Sequence, residues 1–160
     1  MKLVIGYGNV LCGDDGVGVA VANALLDCLT DEDVQVVSAH QLLPEHVPML
    51  STAEQVVFVD ARANGEQAGV IESGAVKPYF VGEPFLHHLT PHSLVALARD
   101  LYDACPPSVL ITITGAQFGY GEGLSPEVQS AMPSLMQEVC DALGVLQPVE
   151  AKPKARLRLW

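Results

Sequence analysis

The chain is short of positive charge. Its 160 residues hold eight Lys and Arg against 19 Asp and Glu, a formal net charge of -11. Four of those bases (Lys152, Lys154, Arg156 and Arg158) fall in the last ten residues, so the body is more acidic than the total. Binding nucleic acid needs clustered cations to neutralise phosphate, and this balance argues against such a partner. Paired cysteines are also lacking. Cys12, Cys28, Cys105 and Cys140 form no CxxC pair, which argues against a zinc knuckle and for reduced thiols in a cytoplasmic protein. HExxH and GxSxG are absent, and no thiol has an evident histidine partner, which sets aside the standard hydrolytic motifs. No uninterrupted apolar run approaches membrane-spanning length and no signal-peptide pattern precedes the first apolar stretch, so no membrane partner is expected.

What is present is organised around Gly6–Gly18, GYGNVLCGDDGVG. It follows the apolar run Leu3, Val4, Ile5, which reads as a short buried strand. It precedes Val17–Leu29, long and apolar enough for a helix. Strand, glycine-rich turn and helix open an α/β unit. The turn departs from a dinucleotide fingerprint, the competing reading. Leu11 stands where GxGxxG needs glycine, and VQVVSAHQ offers no acid to close a second strand. Asp14 and Asp15 would also repel a pyrophosphate at that helix start, whereas a cation suits them. Of the two, Asp14 is expected to cap the helix.

Further along, Val34–Ala39 reads as a second strand, followed by the loop HQLLPE and a short helix to about Leu50. QVVFVD, residues 55–60, reads as a third strand ending in a carboxylate, with Arg62, Asn64 and Gly65 as loop. Gly69–Glu72 and Val76–Phe80 suggest edge strands. Thr90-Pro91 has the N-cap and first-turn pair of a helix start, with Leu94, Leu97, Ala98 and Leu101 as its buried stripe. Val109–Thr114 reads as a strand, and the glycine-rich stretch 115–123 as a mobile loop that walls the site. Ser125-Pro126 caps a further helix, which Pro133 should kink or restart and Gly144 should end. The expected organisation is one domain over 1–147, with a basic tail over 148–160. It is expected to be a monomer, because no surplus apolar helix face is evident.

Parallel strands would bring Asp15, Asp60 and His92 to one edge of the sheet: the first follows strand one, the second ends strand three, and the third begins a helix. A helix N-terminus disfavours imidazolium, which keeps His92 able to ligate. Two carboxylates and an imidazole form an O,O,N set for a borderline divalent ion. Each residue also has a plainer role as helix cap, strand-end acid or solvated first-turn histidine. His87, His88, His40 and His46 are weaker candidates, and Arg62 is either a contact for a substrate carboxylate or an exposed loop residue.

GYGNVLCGDDGVG, VVFVDA and LTPHSL in this order resemble the [NiFe]-hydrogenase maturation endopeptidases, over the chain to about residue 145. The resemblance implies a three-layer α/β fold: a twisted, mostly parallel five-stranded sheet with helices on both faces. It implies an endopeptidase that removes the C-terminal extension of the hydrogenase large-subunit precursor. The nickel comes with that precursor as part of the substrate, and the family's metal-contacting and catalytic positions fall on Asp15, Asp60 and His92. Some members carry Glu where this chain has Asp15. HQLLPE is similar to the segment in members serving cytoplasmic, cofactor-reducing hydrogenases. Two alternatives stand beside this reading. One is a nickel-binding chaperone or sensor module without peptidase activity. The other is a hydrolase, either like peptidyl-tRNA hydrolase, whose basic cleft this acidic chain lacks, or with a resident zinc.

Overall fold

The computed structural model describes residues 1–80 and 89–146. The tail over 148–160, and His87 and His88, lie outside the described residues. Among the described residues, five strands form one sheet: β1 (Lys2–Tyr7), β2 (Val34–Ala39), β3 (Gln55–Arg62), β4 (Ile71–Ala75) and β5 (Ser108–Thr114). Their order is β2-β1-β3-β5-β4, parallel throughout except that β4 runs antiparallel to β5 at the edge. The helices are α1 (Val17–Cys28), α2 (Val47–Ser51), α3 (Pro91–Tyr102) and α4 (Pro126–Leu143). The three-layer α/β arrangement is as expected.

The strands form because their apolar runs are covered on both sides. In β3, Val57 and Val59 pack with α1 and α4, while Val56 and Phe58 pack with α2 and α3. A continuous apolar run is what a strand covered on both faces requires, where a one-sided sheet would show alternation. Phe58 is fully buried, and truncating such a side chain to alanine typically costs about 3–5 kcal/mol.

Glycine sets how closely α1 lies on the sheet. A Cβ on Gly18 would stand 2.4 Å from the carbonyl oxygens of both Tyr7 and Val59. A Cβ on Gly6 would in turn meet the Gly18 carbonyl oxygen. The first turn of α1 therefore touches strand backbone directly.

Helix ends follow the residues expected of them. Thr90 accepts from the Ser93 N–H at 3.2 Å with Pro91 in the first turn, and Ser125 accepts from the Val128 N–H at 3.4 Å. Gly144 closes α4 in the left-handed conformation, φ 65°.

Several boundaries differ from expectation. β3 continues past Asp60 to Arg62, because Asp60, Ala61 and Arg62 still pair with Thr112, Ile113 and Thr114 of β5. The edge holds one strand, Ile71–Ala75, and 76–80 adds none, since β5 can take a single partner on that side. Leu101 is 67% exposed, and Val95 and Ala96 join Leu94, Leu97 and Ala98 in the buried face of α3. Pro133 does not restart α4, which runs as one 18-residue helix.

Candidate active site

β1 lies between β2 and β3, so the chain leaves β1 toward one neighbour and returns on the other side. Loops from the carboxyl ends of β1 and β3 then diverge and leave a crevice, the position where open α/β sheets bind ligands. A pocket of about 330 Å³ opens there, lined by Asp15 and Asp60 together with Tyr7, Asn9, His40 and Leu89 among others.

Asp15 reaches the pocket through a tight turn. Gly8 adopts φ 143°, and a Cβ there would stand 1.8 Å from the Asp15 carbonyl oxygen. The Asp15 Oδ2 accepts from the Asn9 N–H at 2.7 Å, which locks the carboxylate against the end of β1.

Asp60 arrives from β3. The register that sets Gly6 opposite Val59 carries Tyr7 alongside Asp60. Burial pushes the Asp60 carboxyl up to about 6; hydrogen bonds from the Tyr7 hydroxyl and the Ala61 N–H pull it back, while the charge of Asp15 raises it further. The Tyr7 phenol is held far above its ordinary range, first by burial, then by the charge of Asp60, its hydrogen bond to Asp60 and the charge of Asp15. Two acids thus share one pocket, and burial of Asp60 together with the charge of Asp15 favours its protonated form.

Asp14, the adjacent acid, does something else. It does not cap a helix: Gly13–Gly16 forms a single 3-10 turn without a side-chain cap, and Gly16 precedes α1. Asp14 is fully buried. It accepts from the N–H groups of Ala116, Gln117 and Ser125 at 2.7, 3.0 and 2.7 Å, and from the Ser125 hydroxyl at 2.7 Å. Burial alone would raise its carboxyl, but these donors hold it below the ordinary carboxylate range. The 115–123 loop is pinned by these bonds. It lines a separate pocket with Gly13 and does not wall the one holding Asp15 and Asp60.

His92 begins α3 and is not among the residues lining the Asp15–Asp60 pocket, although Leu89, three residues earlier, is. Its ring stacks on Tyr79 at 4.3 Å, and its Nδ1 lies 2.8 Å from the Lys77 carbonyl oxygen. A carbonyl only accepts, so Nδ1 carries the proton and a neutral ring keeps its lone pair on Nε2. This tautomer is the one a ligating histidine adopts when a carbonyl orients it. Among the described residues, no group of three or more His, Cys, Asp or Glu side chains is arranged to hold a metal ion by itself.

Arg62 is a strand residue whose guanidinium bonds Glu72 and, at 2.8 Å, the Thr114 hydroxyl. His46 is used locally, its Nδ1 accepting from the Leu43 N–H at 3.0 Å. His40, one of the weaker candidates by sequence, lines the pocket. A signal for it exists in the chain: it directly follows β2, whose Ala39 pairs with Tyr7 at the same sheet edge.

No family model matches the chain, and no curated protein matches it. Solved structures do. The hydrogenase maturating endopeptidase HybD of E. coli superposes with a TM-score of 0.73 at 19% identity, over 89% of this chain and 91% of its own. The [NiFe]-hydrogenase maturation protease HycI of Thermococcus kodakarensis gives 0.71 at 24% identity, over 89% and 92%. A hydrogenase 2 maturation peptidase from a Thaumarchaeota archaeon gives 0.67 at 22%, over 91% and 99%. The chain has the fold of the hydrogenase maturation proteases. In this maturation-protease fold, the crevice between β1 and β3 carries both pocket acids. Among the described residues, no helix is long and apolar enough to cross a membrane.

Proposed function

We propose that this protein is an endopeptidase that removes the C-terminal extension from the nickel-loaded precursor of a [NiFe]-hydrogenase large subunit. The observation that carries this reading is the pairing of Asp15 and Asp60, brought from two strand ends into one pocket of a maturation-protease fold. The nickel belongs to the substrate. An ion that arrives already ligated by the precursor asks the peptidase only for additional donors, and carboxylate and imidazole suit a borderline divalent ion. Asp15, Asp60 and His92 are those donors in this reading, with His92 presenting the Nε2 that its bond to Lys77 leaves available.

Peptide hydrolysis needs a group that takes a proton from water and returns it to the leaving nitrogen. A carboxyl held at about 6 is matched to that exchange near neutral pH. Bonds from the Ala61 N–H at 2.7 Å and from the Tyr7 hydroxyl hold the Asp60 carboxyl in place.

The test is processing of a purified precursor, with and without nickel, followed by intact mass. Loss of the C-terminal extension from the nickel-loaded form alone is expected. A precursor that binds the protein but keeps its extension would replace the peptidase with a nickel-dependent chaperone. No binding and no cleavage with any precursor would end the hydrogenase reading.

A further inference from the structure

The loop after β1 carries a side chain that the acid pair and His92 do not account for. Asn9 lines the pocket beside Asp15 and Asp60, and most of its hydrogen-bonding capacity is already committed. Its backbone N–H donates to Asp15 Oδ2 at 2.7 Å, and its backbone carbonyl accepts from the Cys12 N–H at 3.0 Å. Its Oδ1 accepts from the Leu11 N–H at 3.0 Å. An N–H can only donate, so the amide atom facing Leu11 must be the oxygen, and this fixes which way round the amide sits. Nδ2 is left with two N–H donors and no hydrogen-bond partner among the described residues.

We propose that Asn9 is a catalytic residue of this peptidase, its Nδ2 N–H donating to the carbonyl oxygen of the scissile bond. The inference rests on the peptidase reading above. In the reaction, the water oxygen bonds to the carbonyl carbon, the carbonyl π pair moves onto oxygen, and a pocket carboxylate takes the water proton. Collapse restores the C=O bond, breaks the C–N bond and returns that proton to the leaving nitrogen. Peptide and water thereby become a carboxylic acid and an amine. The charge that collects on the carbonyl oxygen is repelled by ionised carboxylates, and this pocket holds two acids. A neutral amide donor offsets that repulsion. The bond to Leu11 sets the amide plane before the substrate arrives, and a donor that needs no rearrangement is the more effective one.

The experiment separates the donor from the turn that Oδ1 supports. Asn9→Asp keeps an oxygen to accept from Leu11 and exchanges the NH2 for a second oxygen. Asn9→Ser keeps a hydroxyl acceptor, adds no charge, and is too short to reach the place of Nδ2. Single-turnover cleavage of the nickel-loaded precursor and its binding are measured for both, with melting temperature as the check on folding. Cleavage is expected to slow by about 100- to 1,000-fold, the size seen when one such donor is removed, with precursor binding retained. A variant that cleaves at nearly the wild-type rate overturns the proposal. So does a loss that follows weakened binding or a lowered melting temperature in both variants. Failure of the wild type to cut any precursor is a different result: it removes the peptidase reading, and this proposal with it.

Discussion

Ser125 gives both of its polar hydrogens to Asp14. The N–H meets Oδ1 and the hydroxyl meets Oδ2, each at 2.7 Å, across 111 positions of sequence. The same hydroxyl oxygen caps α4 by accepting from the Val128 N–H. One buried carboxylate thereby ties the turn that carries Asp15 to the start of the last helix. Asp14 and Asp15 are neighbours with separate tasks: one holds the loops together and the other faces the pocket.

Asp14→Asn should therefore destabilise the fold severely for so small a change. The amide NH2 would face N–H groups that need an acceptor, and hydrogen bonds to a charged group contribute about 1.5–3 kcal/mol each. A loss of about 3 kcal/mol in urea unfolding is expected. A loss below about 1 kcal/mol would mean that water replaces the carboxylate readily.

Buried Asp14 and half-buried Asp60 should act on stability with opposite sign as pH changes. Asp60 binds its proton more tightly folded, at about 6, than in the ordinary range. Its contribution is full below about pH 4 and is lost as pH rises through 6, which amounts to roughly 3 kcal/mol. Asp14 is held below its ordinary value, so its contribution is present above about pH 4 and is lost as pH falls further. Unfolding of wild type and Asp60→Asn is to be compared between pH 4 and 7. The difference between them should shift across that window, and a constant difference would contradict the burial of Asp60.

Gly18→Ala sets propensity against packing. Alanine is the better helix former by about 1 kcal/mol. Its Cβ would stand 2.4 Å from two strand carbonyl oxygens, neither of which is the end of a flexible side chain. Packing should win, with a net loss of about 2 kcal/mol or more and a displaced Asp15 turn. Stabilisation by this substitution would show that α1 can lift from the sheet at little cost.

Asp15→Ala and His92→Ala should each abolish processing of a nickel-loaded precursor and leave the circular dichroism spectrum unchanged. Neither side chain is fully buried; loss of the Asn9 N–H bond should cost Asp15→Ala about 1–3 kcal/mol, which leaves the fold intact. Normal processing by either folded variant would remove that residue from the nickel-facing set.

Much of this protein is legible in its amino-acid sequence. The apolar runs of β1 and β3, the capped starts at Thr90 and Ser125 and the glycine stop at Gly144 are local effects, set by residues within a turn or two of each other. So is the presence of acids at the carboxyl ends of two strands, which points to one sheet edge. Boundaries are less legible, because β3 extends to Arg62 only where β5 is there to pair with it.

The division of labour between the two adjacent acids cannot be read locally. Asp14 and Asp15 share the same chain neighbours, and which of them turns inward depends on donors at 116, 117 and 125. His40 reaches the pocket only because β2 lies parallel to β1 with Ala39 beside Tyr7. The elements themselves follow from the sequence alone, since propensity, capping and apolar period act over a few residues. The roles of Asp14, Asp15 and His40 come from the tertiary structure, since hydrogen bonds and burial are set by groups that the chain brings together from far apart.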